Sequence, residues 1–136
     1  MTSTIVFVTD FPDAATAAQE ITPSGFELAV VAARSQEYKD ALKDSSYLVG
    51  FVDSLVDDEL FETGPNLKLI QLLSAGYDRA DIEAARKVGV PIANNGGANS
   101  VAVSEHAVLL MLAVSRQLVR QHTSVAAGNW GGNETP

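Results

Sequence analysis

The segment Leu73-Ser-Ala-Gly-Tyr-Asp78 directly follows the apolar run Leu67-Lys-Leu-Ile-Gln-Leu-Leu73. An apolar run of that kind reads as a strand, so the segment stands at the strand's carboxyl end. Ligands of open α/β sheets collect there. Ser74, Ala75 and Gly76 are small enough to let backbone N–H groups approach a ligand. Successive N–H groups in such a turn form a concavity for an anion, and a carboxylate would suit it. The other reading of the same residues is a tight strand-to-helix turn that merely needs Gly76.

A second candidate is Gly96-Gly-Ala-Asn99 running into Ser100. A Gly-rich loop at a helix start offers free N–H groups and the positive end of the helix dipole to an anion. Asn99 fits two roles, cap of the helix or contact to a ligand. A third is Glu105-His106. Adjacent helical residues point about 100° apart, so these two do not form a side-chain pair. His106 beside an apolar helix reads as a packing residue. His122 lies sixteen positions on, with no partner at ligand spacing, and no metal site is expected. The chain has no G-x-G-x-x-G, no P-loop and no G-x-S-x-G, and no catalytic set is assembled.

The elements that hold these loops alternate between strand and helix. Thr4–Thr9, Phe26–Ala33, Tyr47–Val52, Leu67–Leu73 and Val90–Ala93 read as five strands. Asp13–Ile21, a segment capped by Ser35 and reaching Lys43, Asp57–Glu62 and Asp81–Val88 read as the helices between them. The fourth strand, almost wholly apolar, is expected to be central and buried on both faces. Pro91 puts the fifth at an edge. The expected fold is therefore α/β, a flavodoxin-like doubly wound sheet of five parallel strands. After it, one long helix is expected from Ser100 to about Ala127. Its stretch Ala107–Val114 is apolar around the whole circumference, which demands cover on every side. The expected organisation is a domain over residues 1–98, the long helix over 99–127 and a linker over 128–136.

Composition narrows the partners. The 136 residues carry 9 Lys and Arg against 17 Asp and Glu, a net charge of −8, so neither nucleic acid nor an anionic membrane surface is expected as a partner. The excess acid lies in the first half, from Asp10 to Glu62, which directs any anionic ligand to the second half. There is no cysteine, hence no disulfide and no thiol nucleophile. No apolar run reaches the ~18 residues of a membrane span. The N-terminus, Met-Thr-Ser-Thr-Ile-Val-Phe, reads without a secretory signal, and a cytoplasmic location is expected.

Taken in order, Leu67–Asp78, Asp81-Ile-Glu-Ala-Ala85, Gly89-Val-Pro-Ile-Ala-Asn94, Asn99–His106 and Gly128-Asn-Trp130 resemble the N-terminal part of the NAD-dependent D-2-hydroxyacid dehydrogenases. That family includes phosphoglycerate, glyoxylate/hydroxypyruvate and formate dehydrogenases. The resemblance is closest over residues 67–130; residues 1–66 share mainly the strand–helix order. It implies a substrate-binding domain, with backbone amides at Ala75 and Gly76 holding the carboxylate of a small 2-oxo or 2-hydroxy acid. It also implies that Tyr77 borders the substrate, as does Asn99 by analogy with the formate branch. It gives Glu105 and His106 no catalytic role.

Family members run to more than twice this length. Their NAD or NADP site and their catalytic Arg, Glu and His have no counterpart in residues 1–136, so no catalytic residue is assigned. The chain alone is expected to bind no nucleotide and to be inactive, as a domain truncated before the cofactor domain. A homodimer through the long helix is expected. The alternative is a complete small carboxylate-binding or regulatory protein on the same scaffold.

Overall fold

A computed structural model describes residues 3–130. The chain forms two compact units, one up to Gly97 and one from Ala98. In the first, β1 (Ser3–Val8), β2 (Phe26–Val31), β3 (Tyr47–Gly50), β4 (Leu69–Leu72) and β5 (Ile92–Ala93) form one parallel sheet in the order β2-β1-β3-β4-β5. This is the flavodoxin-like order, with the switch point between β1 and β3. Between the strands run α1 (Pro12–Ile21), α2 (Gln36–Leu42), α3 (Asp58–Thr63) and α4 (Ile82–Val88).

Local chemistry starts and stops these helices. The Ser35 hydroxyl accepts from Tyr38 N at the head of α2, Asp57 from Leu60 N at α3, and Asp81 from Ala84 N at α4. Each satisfies a backbone donor that the helix itself leaves unpaired. α4 ends at Gly89, whose φ of 74° is the left-handed stop that glycine adopts at little cost.

The core lies on one face of the sheet. Val6, Leu48 and Ile70 sit in register across β1, β3 and β4, and all are fully buried. Leu42 of α2, Leu60 and Phe61 of α3, and Ala84 and Ala85 of α4 pack in the same cluster. Each aliphatic side chain removed from water there contributes about 1.5–3 kcal/mol. The opposite face is less covered. Phe7 is buried there, but its register partners Val49 and Gln71 are only half-buried.

This corrects the reading of β4 as the central strand buried on both faces. β3 is the middle strand, and β4 alternates, with Ile70 and Leu72 buried and Leu69 and Gln71 half-exposed. An almost wholly apolar run need not be symmetrically covered, because burial depends on what packs against each face. β5 does occupy the edge.

The second unit corrects the single long helix. α5 (Ser100–Ser115) and α6 (Leu118–Ala126) are separate and bent by 62°. Gln117 takes a left-handed conformation, φ 50°, at the break. The Ser115 hydroxyl donates to the Met111 carbonyl, a back-bond that bends helices. The break falls where the apolar stretch ends at Val114 and Ser-Arg-Gln begins. α5 buries no residue: Leu110 is 52% and Val114 78% exposed. No single helix among the described residues is long and apolar enough to cross a membrane. The part of the expected linker beyond Trp130 lies outside the described residues.

Candidate functional site

The loop after β4 is rooted at its first residue, where Leu73 N donates to Gly50 O of β3 at 2.9 Å. From there the carbonyl oxygens are taken up in succession. Ser74 O accepts from Asn95 N at 2.9 Å, and Ala75 O accepts from the Asn94 side-chain Nδ2 at 2.7 Å. Gly76 O accepts from the Ser74 hydroxyl at 2.7 Å, and Tyr77 O from Ala80 N at 3.0 Å. The amides are the reverse. Among the described residues, nothing accepts a hydrogen bond from the N–H of Ala75, Gly76 or Tyr77. A loop whose acceptors are satisfied and whose donors are free presents positive dipoles outward, which is the electrostatic requirement of an anion site.

Exposure agrees with access. Ala75 is half-buried, while Gly76 and Tyr77 are exposed, Tyr77 by 54%. A Cβ on Gly76 would lie 3.2 Å from Asp78 Oδ2, so the Asp78 carboxylate crowds the loop and a larger residue at 76 must displace it.

The far end of the loop is clamped by a bidentate ion pair. Arg79 Nε and Nη2 donate to Asp53 Oδ2 and Oδ1 at 2.9 and 2.8 Å. Asp53 is buried in the 3₁₀ turn Asp53–Leu55 after β3. The hydrogen bonds from Arg79 hold its carboxyl below the ordinary aspartate value, against the opposing effect of burial. Paired planar geometry of this sort fixes orientation as well as distance. Asp81 N also donates to Val56 O at 2.9 Å, so the loop is tied to the β3 exit at three points. Sequence reasoning missed Asp53, Arg79 and Asn94. Asp53 and Arg79 lie twenty-six positions apart, and no local pattern joins them.

The remaining sequence candidates fall elsewhere. Asn99 stands at the head of α5 in the second unit. Its carbonyl accepts from Val103 N at 2.9 Å, but its side chain makes no capping bond. Glu105, His106 and His122 are exposed on the two helices of that unit. No group of three or more acidic or histidine side chains among the described residues could hold a metal ion. A cavity of about 180 Å³ between α2 and α3 is lined by Arg34, Tyr38, Lys39, Asp57 and Leu60, and is separate from the loop.

The turn after β1 does not suit a dinucleotide's pyrophosphate. The first strand-to-helix turn is where a pyrophosphate would sit, and it runs Asp10-Phe-Pro-Asp13. Pro12 opens α1 without an N–H, and Asp13 puts negative charge in its first turn.

Comparison with known proteins identifies the family and the fold. Residues 5–132 match the model of the D-isomer specific 2-hydroxyacid dehydrogenase, catalytic domain. A glyoxylate reductase of Thermococcus litoralis is 37% identical over 95 residues, which is 70% of this chain and 29% of that protein. A D-3-phosphoglycerate dehydrogenase of Archaeoglobus fulgidus is 39% identical over 75 residues, 55% of this chain and 14% of that protein. The matched segments thus span less than a third of the length of these relatives. In fold, it superimposes on D-lactate dehydrogenase from Aquifex aeolicus, solved with NAD and lactic acid. The TM-score is 0.82 at 21% identity, covering 96% of this chain and 39% of the other.

Proposed function

The chain belongs to the D-isomer specific 2-hydroxyacid dehydrogenase family through that family's catalytic domain, and we propose that it supplies the substrate-binding part of such an enzyme. The substrate is a small 2-oxo or 2-hydroxy acid. Its carboxylate accepts hydrogen bonds from the Ala75 and Gly76 amides, and Tyr77 borders it. The observation that carries this reading is the asymmetry of the loop: its carbonyls at 74–77 are all bonded and its amides at 75–77 are free. Two charge-assisted hydrogen bonds of about 1.5–3 kcal/mol each support binding on the order of millimolar by the chain alone.

Hydride transfer between hydroxy acid and oxo acid belongs to the whole enzyme, with NAD or NADP supplying the hydride chemistry when bound. The nucleotide and the proton-transferring groups are to be provided outside these residues, so this chain alone neither binds nucleotide nor turns over substrate. The apolar circumference of α5 serves as the contact between two copies in a homodimer. Eight successive apolar residues from Ala107 to Val114 leave no polar side to face water.

The test is a titration of glyoxylate into the ¹⁵N-labelled chain. The Ala75 and Gly76 amide signals are expected to move downfield and saturate, while methyl glyoxylate, lacking the charge, leaves them in place. Equal effects of acid and ester, or movement confined to other residues, would refute the assignment.

A further inference from the structure

We infer that Asn94 is a positioning residue for the substrate carboxylate: it aims the Gly76 amide without touching the ligand. The inference rests on the loop being the carboxylate site. Asn94 is one residue beyond β5, and its Nδ2 donates to Ala75 O at 2.7 Å. The orientation of its amide is dictated by chemistry, since a carbonyl only accepts and Nδ2 is the donor of the side chain.

The consequence follows from peptide geometry. There are no cis peptide bonds among the described residues, and in a trans peptide the N–H points opposite to the C=O of the same plane. Holding Ala75 O therefore sets the direction of the Gly76 N–H, and holding Ser74 O sets that of the Ala75 N–H. The two holders are neighbours: Asn95 N takes Ser74 O and Asn94 Nδ2 takes Ala75 O. Successive carbonyls in an extended chain point in opposite directions. Here both are drawn toward the segment 94–95, so both amides face away from it. Backbone pairing alone explains the first plane, because Asn95 N uses no side chain. The second plane is turned by a side chain of one chemical type at one position.

Register explains why position 94 does this. Gln71 pairs with Ala93, so Asn94 is level with Leu72, and the loop after β4 brings Ala75 O within hydrogen-bond reach of its side chain. Gly96 does not constrain it, since a Cβ there would lie 3.6 Å from Asn94 Oδ1, an ordinary contact. An alanine at 94 leaves Ala75 O to water and frees the Gly76 plane to rotate. An aspartate of the same size, when ionised, cannot donate at all and turns a charge toward the Ala75 carbonyl.

The experiment repeats the glyoxylate titration on ¹⁵N,¹³C-labelled wild type, Asn94→Ala and Asn94→Asp, with urea midpoints measured on each. Wild-type binding at Ala75 and Gly76 tests the site itself; its failure overturns the proposed function. Given that binding, Asn94→Ala is expected to weaken it about three- to tenfold, the span that one neutral hydrogen bond supports. The Ala75 carbonyl ¹³C signal should move upfield and the Gly76 response should shrink, with the urea midpoint little changed. Asn94→Asp should bind more weakly still at neutral pH and recover as its carboxyl protonates and becomes a donor. Wild-type affinity and an unchanged Gly76 response in Asn94→Ala would overturn the inference. If that variant does not fold, Asn94→Asp carries the test, and binding by it that is strong and independent of pH would overturn the inference equally.

Discussion

Gly50 joins the fold to the site, and Gly50→Ala should damage both. Its φ is 153°, a backbone conformation that side-chain-bearing residues rarely take. A Cβ built on it lies 2.7 Å from the Val8 carbonyl oxygen, 3.1 Å from Val52 Cγ1 and 3.2 Å from Val8 Cβ. Val8 is its ladder partner in β1, so the clash is with backbone and cannot be relieved by turning a flexible side chain. Overpacking of this kind costs about 1–3 kcal/mol, and the backbone conformation about 1–3 more. Loss of glycine's freedom in the unfolded chain offsets about 0.4–1. The net loss is about 1–5 kcal/mol, a large part of the ~5–15 that holds a domain together. With a urea slope of about 2 kcal/mol/M the midpoint should fall by about 0.5–2.5 M. Gly25→Ala is the control: its φ is 95°, yet nothing lies within 4 Å of the added Cβ, so it meets the backbone cost alone. The site offers a second readout. Gly50 O accepts from Leu73 N, the root of the loop after β4, so the amide signals of 74–76 should shift in Gly50→Ala and stay in Gly25→Ala. If Gly50→Ala is no less stable than Gly25→Ala, the close approach of β1 and β3 is not as described and the reasoning fails.

The Asp53–Arg79 clamp predicts a pH signature. Because Arg79 holds the folded carboxyl below the ordinary aspartate value, the unfolded chain takes up the proton at higher pH than the folded one. The pair's contribution is then complete above ~4, the unfolded value, and fades as pH drops through the folded one. Urea midpoints of wild type and Asp53→Asn should differ at neutral pH and converge in acid; parallel curves would refute the clamp. At the other extreme, burial first and the Asp57 carboxylate next push Tyr38 up to about 12. The folded state keeps that proton, so its contribution to stability persists to pH ~10 and is lost as pH rises through about 12. Tyrosinate absorbance should show one late-ionising group that Tyr38→Phe removes. The apolar α5 predicts a dimer by light scattering at tens of micromolar, and Val108→Lys with Leu112→Lys should make it monomeric; a monomeric wild type refutes the helix contact.

The strand–helix alternation was legible because its punctuation is local. Ser35, Asp57 and Asp81 each stand one residue before a helix and cap it with their own oxygen. Gly89 stops α4 by the one conformation it favours. These are contacts over three or four positions, so composition and order reveal them. The position of β4 in the sheet was not local information. Leu67–Leu73 carries apolar residues on both sides, but within β4 only Ile70 and Leu72 join the buried cluster with α3 and α4. Hydropathy describes what a strand can bury, and topology decides what it does bury. The break at Gln117 was hidden for a related reason. Nothing in Arg116-Gln117 forbids a helix; the left-handed turn appears where the apolar stretch gives out and Ser115 bonds back to Met111.

The site divides along the same line. Small residues after an apolar strand point to Ala75, Gly76 and Tyr77, because close backbone approach is a property of residue size. What turns those amides into a directed pair is not in the loop. Ser74 O is held from Asn95, Ala75 O from Asn94, and the loop's end from Asp53 through Arg79. Each partner arrives from another strand's exit, nineteen to twenty-six positions away in the case of the side chains. The donor array is therefore a product of the parallel sheet itself. Parallel strands bring successive exits to one edge, and the residues just past β3 and β5 become the supports of the loop past β4. A glycine-containing turn in isolation would leave its peptide planes free. The same turn between two neighbouring exits has its carbonyls drawn aside and its amides exposed, and that exposure is what an anionic substrate can use.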